Sequence, residues 1–324
     1  MIVLFAFNEV ILSSVSSFFI LNKSDYFCFM ILHSFFVPLL SERIRIFDYV
    51  CVHLSGVFPS KNGVKKAFKN QLILLNGKIA LSGEWLSEGD KVEVKAQDLG
   101  AFKIFPLKLE VLFEDTFMAV IHKPAGFPVS GNYYKTIQNA LPYNLSISKE
   151  DDALILPRPV HRLDKLTSGL LLVAKTRSAQ INLGRQFEAQ QISKTYAALV
   201  KGKLEGEGIV DISIHHQHAK TLFKSVRVDK SLSYSDVSMV ELQPKTGRTH
   251  QLRIHMAEIG HPIVGDAVHD SEKVLKGKGL FLTACKVSFI HPVSLLNQTF
   301  EISIPSKFDT LLKREKRRWK KFHA

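Results

Sequence analysis

The sequence predicts an α+β fold, on three observations. Strand-like apolar runs recur at 170–173, 196–200, 223–228, 238–242, 280–283 and 299–304. Helical spacing is concentrated at 178–190 and 250–259, enough to cover one face of a sheet. Loops outnumber long helices, which disfavours a doubly wound parallel sheet. At 324 residues the chain has room for one large domain and a small accessory one, each with its own core.

Composition narrows the partners. A formal net charge of +13 points to a polyanion, and nucleic acid fits better than an acidic membrane surface. Cys28, Cys51 and Cys285 are scattered, which supports neither a disulfide framework nor a cysteine zinc site, so a reducing cytoplasm is expected. Residues 1–40 stand apart, with eight Phe but only three charged residues, Glu9, Lys23 and Asp25. The uncharged runs 10–22 and 26–41 fall short of the roughly 20 residues of a spanning helix. A basic start and a small-residue cleavage site, as in a secretory signal, are also missing. The segment reads either as an upstream extension of the reading frame, with Met30 as an alternative start, or as a buried or interfacial extension; no membrane association is expected.

Residues 41–96 read as a small basic module. Ile46, Val50 and Leu54 share a helical face, and 64–69 forms a second helix with its lysines to one side. A strand at 72–75 runs into the Asn76-Gly77 turn, and Glu88-Gly89-Asp90-Lys91 turns into the alternating strand Val92-Glu93-Val94. Arg45, Asp48, Val64-Lys65-Lys66, Asn76-Gly77 and Gly89-Asp90 together resemble the small RNA-binding domain named after ribosomal small-subunit protein four. On that resemblance Lys65, Lys66 and Lys69 contact phosphate, because a flexible ammonium gives affinity with little base discrimination. The alternative is a solvated lysine helix with no ligand.

A linker at 97–106 precedes the large domain, expected at 107–305. Strands at 109–113 and 117–121 flank the Glu114-Asp115-Thr116 turn and lead into His122-Lys123-Pro124-Ala125-Gly126-Phe127-Pro128, a loop fixed by two prolines. A short helix is expected at 136–141 and a loop at 144–157. Everything then converges on Pro159 to Lys175. Here the charged run His161-Arg162-Leu163-Asp164-Lys165 abuts the apolar strand Leu170 to Ala174, with Gly169 permitting close approach. Locally, Asp164 reads equally as a turn residue or cap feeding the strand.

Four ordered segments settle that choice. His161-Arg162-Leu163-Asp164 with Thr167-Ser168-Gly169-Leu170-Leu171 resembles the catalytic signature of RluA-type pseudouridine synthases. Lys123-Pro124-Ala125-Gly126 lies upstream and Lys194 to Gly202 downstream, followed by Thr246 to Met256 and Gly260 to Asp266. The resemblance spans about 107 to 305 and implies a curved, mostly antiparallel mixed sheet with the active cleft across it. It implies RNA as substrate, no cofactor and no metal. Converting uridine to pseudouridine breaks the bond from base nitrogen to sugar and rejoins the base through carbon without redox change. Asp164 would be the carboxylate acting as nucleophile or base. Arg253 would favour its ionised form and orient it, and Tyr196 would lie against the uracil and assist proton transfer. A stacked uridine must be flipped out, and Arg162 would fill the vacated space. His161, Arg248, His250 and Lys123 complete the expected RNA contacts.

Two features compete for function. His215-His216-Gln217-His218 suggests a metal, but no carboxylate or cysteine cluster lies at ligand spacing. The segment 306–324, with seven basic residues between Lys313 and Lys321 around Trp319, either adds phosphate affinity and stacks a base or is a frayed, solvated terminus. The rival class is a non-catalytic RNA-binding or assembly factor, disfavoured by the trio Asp164, Tyr196 and Arg253. No obligatory protein partner is inferred.

Overall fold

The computed structural model describes residues 31–40, 42–54, 58, 60–95, 104–270 and 278–323. The chain divides into two compact units, Met1–Ala101 and Phe102–Ala324. The Phe-rich segment up to residue 30 and most of the expected linker lie outside the described residues.

The small unit runs β1 (Ile31–Phe36), α1 (Ile46–His53), α2 (Lys61–Lys69), β2 (Ile73–Leu75), β3 (Lys78–Ile79) and β4 (Lys91–Lys95). Its antiparallel sheet has the order β1-β4-β2-β3. Ile46, Val50 and Leu54 are buried with Val64, Ala67, Ile73 and Val94 in one core. Ser60 caps α2 by accepting from the Gly63 N–H at 3.1 Å, which fixes where that helix begins. The module starts earlier than position 41. β1 pairs with β4, Phe35 stacks on Tyr49 at 5.9 Å, and Val37 is buried, so this apolar stretch completes the sheet.

The large unit continues with β5 (Glu110–Glu114), β6 (Met118–Lys123), α3 (Ile137–Asn144), β7 (Ala153–Pro159), β8 (Ser168–Thr176), α4 (Arg177–Glu188) and β9 (Ser193–Lys201). It closes with β10 (Glu207–Asp211), β11 (Lys220–Ser231), β12 (Ser235–Pro244), α5 (Gln251–Glu258), β13 (Leu282–Ile290), β14 (Asn297–Glu301) and α6 (Lys307–Phe322). Ten strands form one mixed sheet, in the order β10-β11-β12-β9-β13-β8-β6-β5, with β14 on β13 and β7 on β8. Every pairing is antiparallel except the short parallel contact of β13 with β8. The unit is α+β.

Strand alternation divides the core into layers. Ala119, Ile121, Leu171, Val173, Tyr196 and Ala198 face a layer closed by α3 and α5 through Ile137, Leu141, Leu252 and Met256. Met118, Val120, Leu170 and Leu172 face the other way, onto Leu183 of α4. All nine residues of β8 are buried, and each leucine there contributes about 1.5–3 kcal/mol relative to exposure. Gly169 makes the β8–β13 contact possible. Its φ is +122°, and a Cβ would collide with the Ala284 backbone. Gly169→Ala is therefore expected to cost about 3 kcal/mol or more in stability, measurable by denaturant unfolding.

Three segments depart from expectation. The loop expected at 144–157 gives way to β7 from Ala153, an edge strand where Pro157 and Pro159 are tolerated because only one side is paired. The large unit is already established at Phe105, inside the expected linker; it packs on the core, and its N–H donates to the Asn139 carbonyl at 2.9 Å. The C-terminal stretch is no frayed tail. α6 docks Phe308, Leu311 and Leu312 against Leu199, Val237, Met239 and Phe281.

Candidate active site

The connection from β7 to β8, the start of β9, the end of β12 and the first turn of α5 converge on a cleft of about 570 Å³ lined by Arg162, Asp164, Thr167, Lys194, Tyr196, Arg248, His250 and Arg253, among others. Asp164 sits on the connection from β7 to β8, and the chain fixes that connection from behind. Leu163 is buried in the core, and the Thr167 N–H donates to the Asp164 carbonyl at 3.1 Å. Lys123 does the rest. Its ammonium donates to the carbonyls of Pro124, Lys165 and Thr167 at 3.1, 3.3 and 2.7 Å.

That arrangement corrects the expectation that Lys123 touches RNA. Its side chain is fully buried, and its donors are taken up by the Asp164 loop. Burial pushes its pKa down to about 8, with the Asp164 charge pulling the other way. His161 lines the cleft, half-buried, and its ring is also used within the fold. Its Nε2 accepts the Leu172 N–H at 3.0 Å, and its ring packs on Phe187 at 4.7 Å, so it extends the β7–β8 ladder with a side chain. Burial, aided by the Lys194 charge, pushes His161 down to about 3 and keeps it neutral. The unfolded histidine protonates near pH 6.5, so this contribution to stability is present above that value and lost as pH falls toward 3. His161→Gln is expected to flatten the stability profile across that interval in pH-dependent unfolding.

Arg253 enters the cleft from the first turn of α5, on a backbone shaped by the preceding loop. His250 caps α5 in the left-handed conformation, φ 55°. Gln251 accepts from the Thr246 hydroxyl at 2.7 Å and the Arg248 N–H at 3.0 Å, and donates to the Lys220 carbonyl and the Thr221 hydroxyl. Arg253 is 3% exposed, and the principal partner of its guanidinium is Asp266. Nε and Nη2 donate to the two carboxylate oxygens of Asp266 at 2.7 and 2.6 Å. Nη1 is left for Asp164, at 3.8 Å, within ion-pair range but beyond a hydrogen bond. Burial opposes ionisation of Asp266, yet bonds from Arg253, Val268 and His269 hold its carboxyl below the usual range. Gly265 makes the Asp266 turn, at φ +84°, and a Cβ there would strike the Gly279 carbonyl.

Tyr196 of β9 is 9% exposed and lines the cleft. Burial pushes its phenol well above the ordinary value, and the Asp164 charge adds to that, so it stays protonated. Arg162 is exposed on the cleft wall, and its guanidinium has no hydrogen bond or ion pair among the described residues. Arg248 is exposed, with Nε on the His218 carbonyl at 3.0 Å. His250 hydrogen-bonds His269 at 3.0 Å. The Thr167 hydroxyl, buried in the cleft lining, has no partner among the described residues.

Sequence reasoning did not single out Asp266, Gln251, Thr167 or Lys194. Asp266 lies thirteen residues from Arg253 in sequence, so only the fold reveals the pairing. In the small unit, Lys65 and Lys69 line a concavity of about 510 Å³ with Arg45, Phe47 and Asp48, whereas Lys66 is exposed outside its lining. His215 and His216 occupy a tight turn with φ 47° and 61°, bridged by Ile214 and Gln217. Among the described residues no group of three or more His, Cys, Asp or Glu could hold a metal ion. No helix among them is long and apolar enough to cross a membrane.

The chain that builds this cleft is similar to known proteins in sequence and in fold. The family described as RNA pseudouridylate synthase matches residues 118–258. YhcT of Bacillus subtilis (strain 168), named an uncharacterized RNA pseudouridine synthase, is 32% identical over 253 residues, covering 72% of this chain and 82% of the relative. Ribosomal large subunit pseudouridine synthase D of Zymomonas mobilis is 34% identical over 230 residues, covering 64% and 73%. In fold, human RNA pseudouridylate synthase domain containing 1 superposes with a TM-score of 0.52 at 23% identity, over 64% of this chain and 87% of that one. The chain belongs to the RluA family of RNA pseudouridine synthases, isomerases that act on RNA.

Proposed function

We propose that the protein isomerises a uridine of large-subunit ribosomal RNA, with Asp164 as the reacting carboxylate. The observation that carries this is the Asp164 carboxylate on the cleft wall with Arg253 Nη1 3.8 Å away and Tyr196 beside it. The ribosomal substrate is taken from the names of relatives such as the Zymomonas mobilis enzyme.

In this reading the target base is flipped into the cleft at a cost of a few kcal/mol. Arg162, which has a free guanidinium, fills the gap in the stack. Asp164 attacks the sugar or initiates cleavage, the base nitrogen leaves the anomeric carbon, and C5 takes its place. The proton on C5 must then depart. Tyr196 supports the uracil ring, and its hydroxyl relays that proton by accepting it while handing its own to solvent, as N1 takes a proton from solvent so that product and substrate have the same composition. Thr167 offers an unclaimed hydroxyl to a substrate polar atom. Arg248 and His250 hold the backbone at the cleft rim. The small unit, resembling the RNA-binding domain of ribosomal small-subunit protein four, grips phosphates through Lys65, Lys66 and Lys69. The proposed place of action is the reducing cytoplasm, where Cys51 and Cys285 remain free thiols. The test is tritium release from unmodified large-subunit ribosomal RNA labelled at uridine C5. Stoichiometric release supports the reading, and release only from labelled transfer RNA overturns the substrate assignment.

A further inference from the structure

We infer that the solvent face of α6 is a second RNA-binding surface, one that holds the phosphate backbone of a segment remote from the target uridine. RNA is the partner because the chain belongs to an RNA-modifying family and this face is strongly cationic, with Asp309 in the first turn its one acid. The inference needs an RNA substrate but not a ribosomal one.

The helix separates two stripes. At about 100° per residue, buried Phe308, Leu311, Leu312 and Glu315 fall in one arc of about 100°. Lys313, Lys316, Arg317, Lys320 and Lys321 fall in the opposite arc and are exposed. The other two basic residues of the segment are committed elsewhere. Arg314 and Arg318 each donate to buried Glu315 at 3.1 Å, flanking the docked face. Glu315 in turn accepts from the Ser231 hydroxyl and the Ser233 N–H, tying the helix to the end of β11. Among the described residues only Lys316 of the exposed stripe makes an ion pair, with Asp229 at 3.7 Å, and Asp229 is already engaged by Arg227 at 2.6 Å; Asp309, the one acid on this face, is 3.5 Å from Arg227.

Five cations over about 12 Å of helix are intrinsically unfavourable, because like charges three and four residues apart repel. The helix dipole accounts for Lys320 and Lys321 in the last turn but not for Lys313, Lys316 and Arg317, which lie beyond its reach. An anionic partner along the whole stripe offsets that repulsion. A membrane surface fits less well, since the apolar face of α6 is already buried in the protein.

Position adds the second half of the inference. α6 packs on Leu199, Val237 and Met239, whereas Tyr196 and Ala198 of β9 and Val240 and Leu242 of β12 point to the other side of the sheet. The cleft opens on the Tyr196 side. An RNA that touches both surfaces must pass around the edge of the domain, so only an extended or folded RNA can engage α6 while its uridine occupies the cleft.

The experiment compares wild-type protein with a K313Q/R317Q/K320Q/K321Q variant, using an unmodified large-subunit ribosomal RNA transcript and a 20-nucleotide stem-loop as probes. On the transcript, binding of the variant weakens about tenfold or more at 0.1 M salt, and the slope of log K against log salt falls by roughly 3, near 0.7–0.9 per lost phosphate contact. The stem-loop shows less than a third of that slope change. In wild-type protein the transcript also protects Lys313, Lys316, Lys320 and Lys321 from acylation, a readout that requires no variant. Unchanged affinity and slope, absent protection, or an equal loss on the stem-loop overturns the inference. So does a variant that loses only binding to phosphatidylserine vesicles. A transcript that binds through α6 but is never isomerised leaves this inference standing and counts against the ribosomal substrate alone.

Discussion

Asp164→Asn is expected to lower isomerisation by roughly ten-thousand-fold or more, the scale set by removing a reacting side chain whose partners act with it as a unit. The amide keeps the size of the carboxylate but supplies neither a nucleophile nor a base. Tritium release in single-turnover conditions measures the loss. Affinity for RNA is expected to hold within a few fold, because Arg162, Arg248 and the lysines of α2 are untouched. Stability should move by less than about 1 kcal/mol, since the pair with Arg253 is long and Asp164 is partly solvated. A variant that loses turnover yet keeps fold and affinity assigns the residue to chemistry.

Asp266→Ala is expected to have the largest effect on the folded state. It would strand a buried guanidinium that now shares two hydrogen bonds with one carboxylate, and breaking such a pair from one side costs about 3–5 kcal/mol. Activity would fall as well, because Asp266 occupies Nε and Nη2 and so decides which edge of Arg253 faces Asp164. Urea unfolding and turnover of the same preparation measure both effects. Acid offers a second handle. The folded carboxyl of Asp266 is held below its usual value, so its contribution is complete above about pH 4 and disappears as pH falls through the folded value. In Asp266→Asn this acid-dependent part of the stability profile is expected to be absent.

Much of this was legible before any coordinates. The apolar run after Gly169 announces a buried strand, and β8 is one along its whole length. The carboxylate beside it, the tyrosine of 194–202 and the arginine of 246–256 meet in one cleft as the resemblance implied. Illegible were the facts that depend on burial and long-range pairing. Lys123 and His161 sit in charged, motif-bearing stretches and look like RNA contacts. The fold turns Lys123 inward, where its ammonium binds the carbonyls of the Asp164 loop, and it gives the His161 ring, which still lines the cleft, a backbone N–H to accept. Asp266 carries no local pattern that marks it as the partner of Arg253. In the C-terminal stretch the density of charge hid Phe308, Leu311 and Leu312, whose helical spacing is the signature of a docked helix. β7 was obscured by its prolines, which an edge strand accommodates.

The central claim, that Asp164 converts a uridine in cellular RNA, is tested most directly by mapping pseudouridines at nucleotide resolution. Total RNA would be compared from cells carrying the wild-type gene, the Asp164→Asn gene or a deletion, by chemical labelling and reverse-transcription stops. The account predicts at least one site in large-subunit ribosomal RNA that is present in the wild type and missing from both other strains. An identical map in all three strains, with the Asn protein still bound to RNA, would contradict it and leave the cleft as a binding site without the reaction.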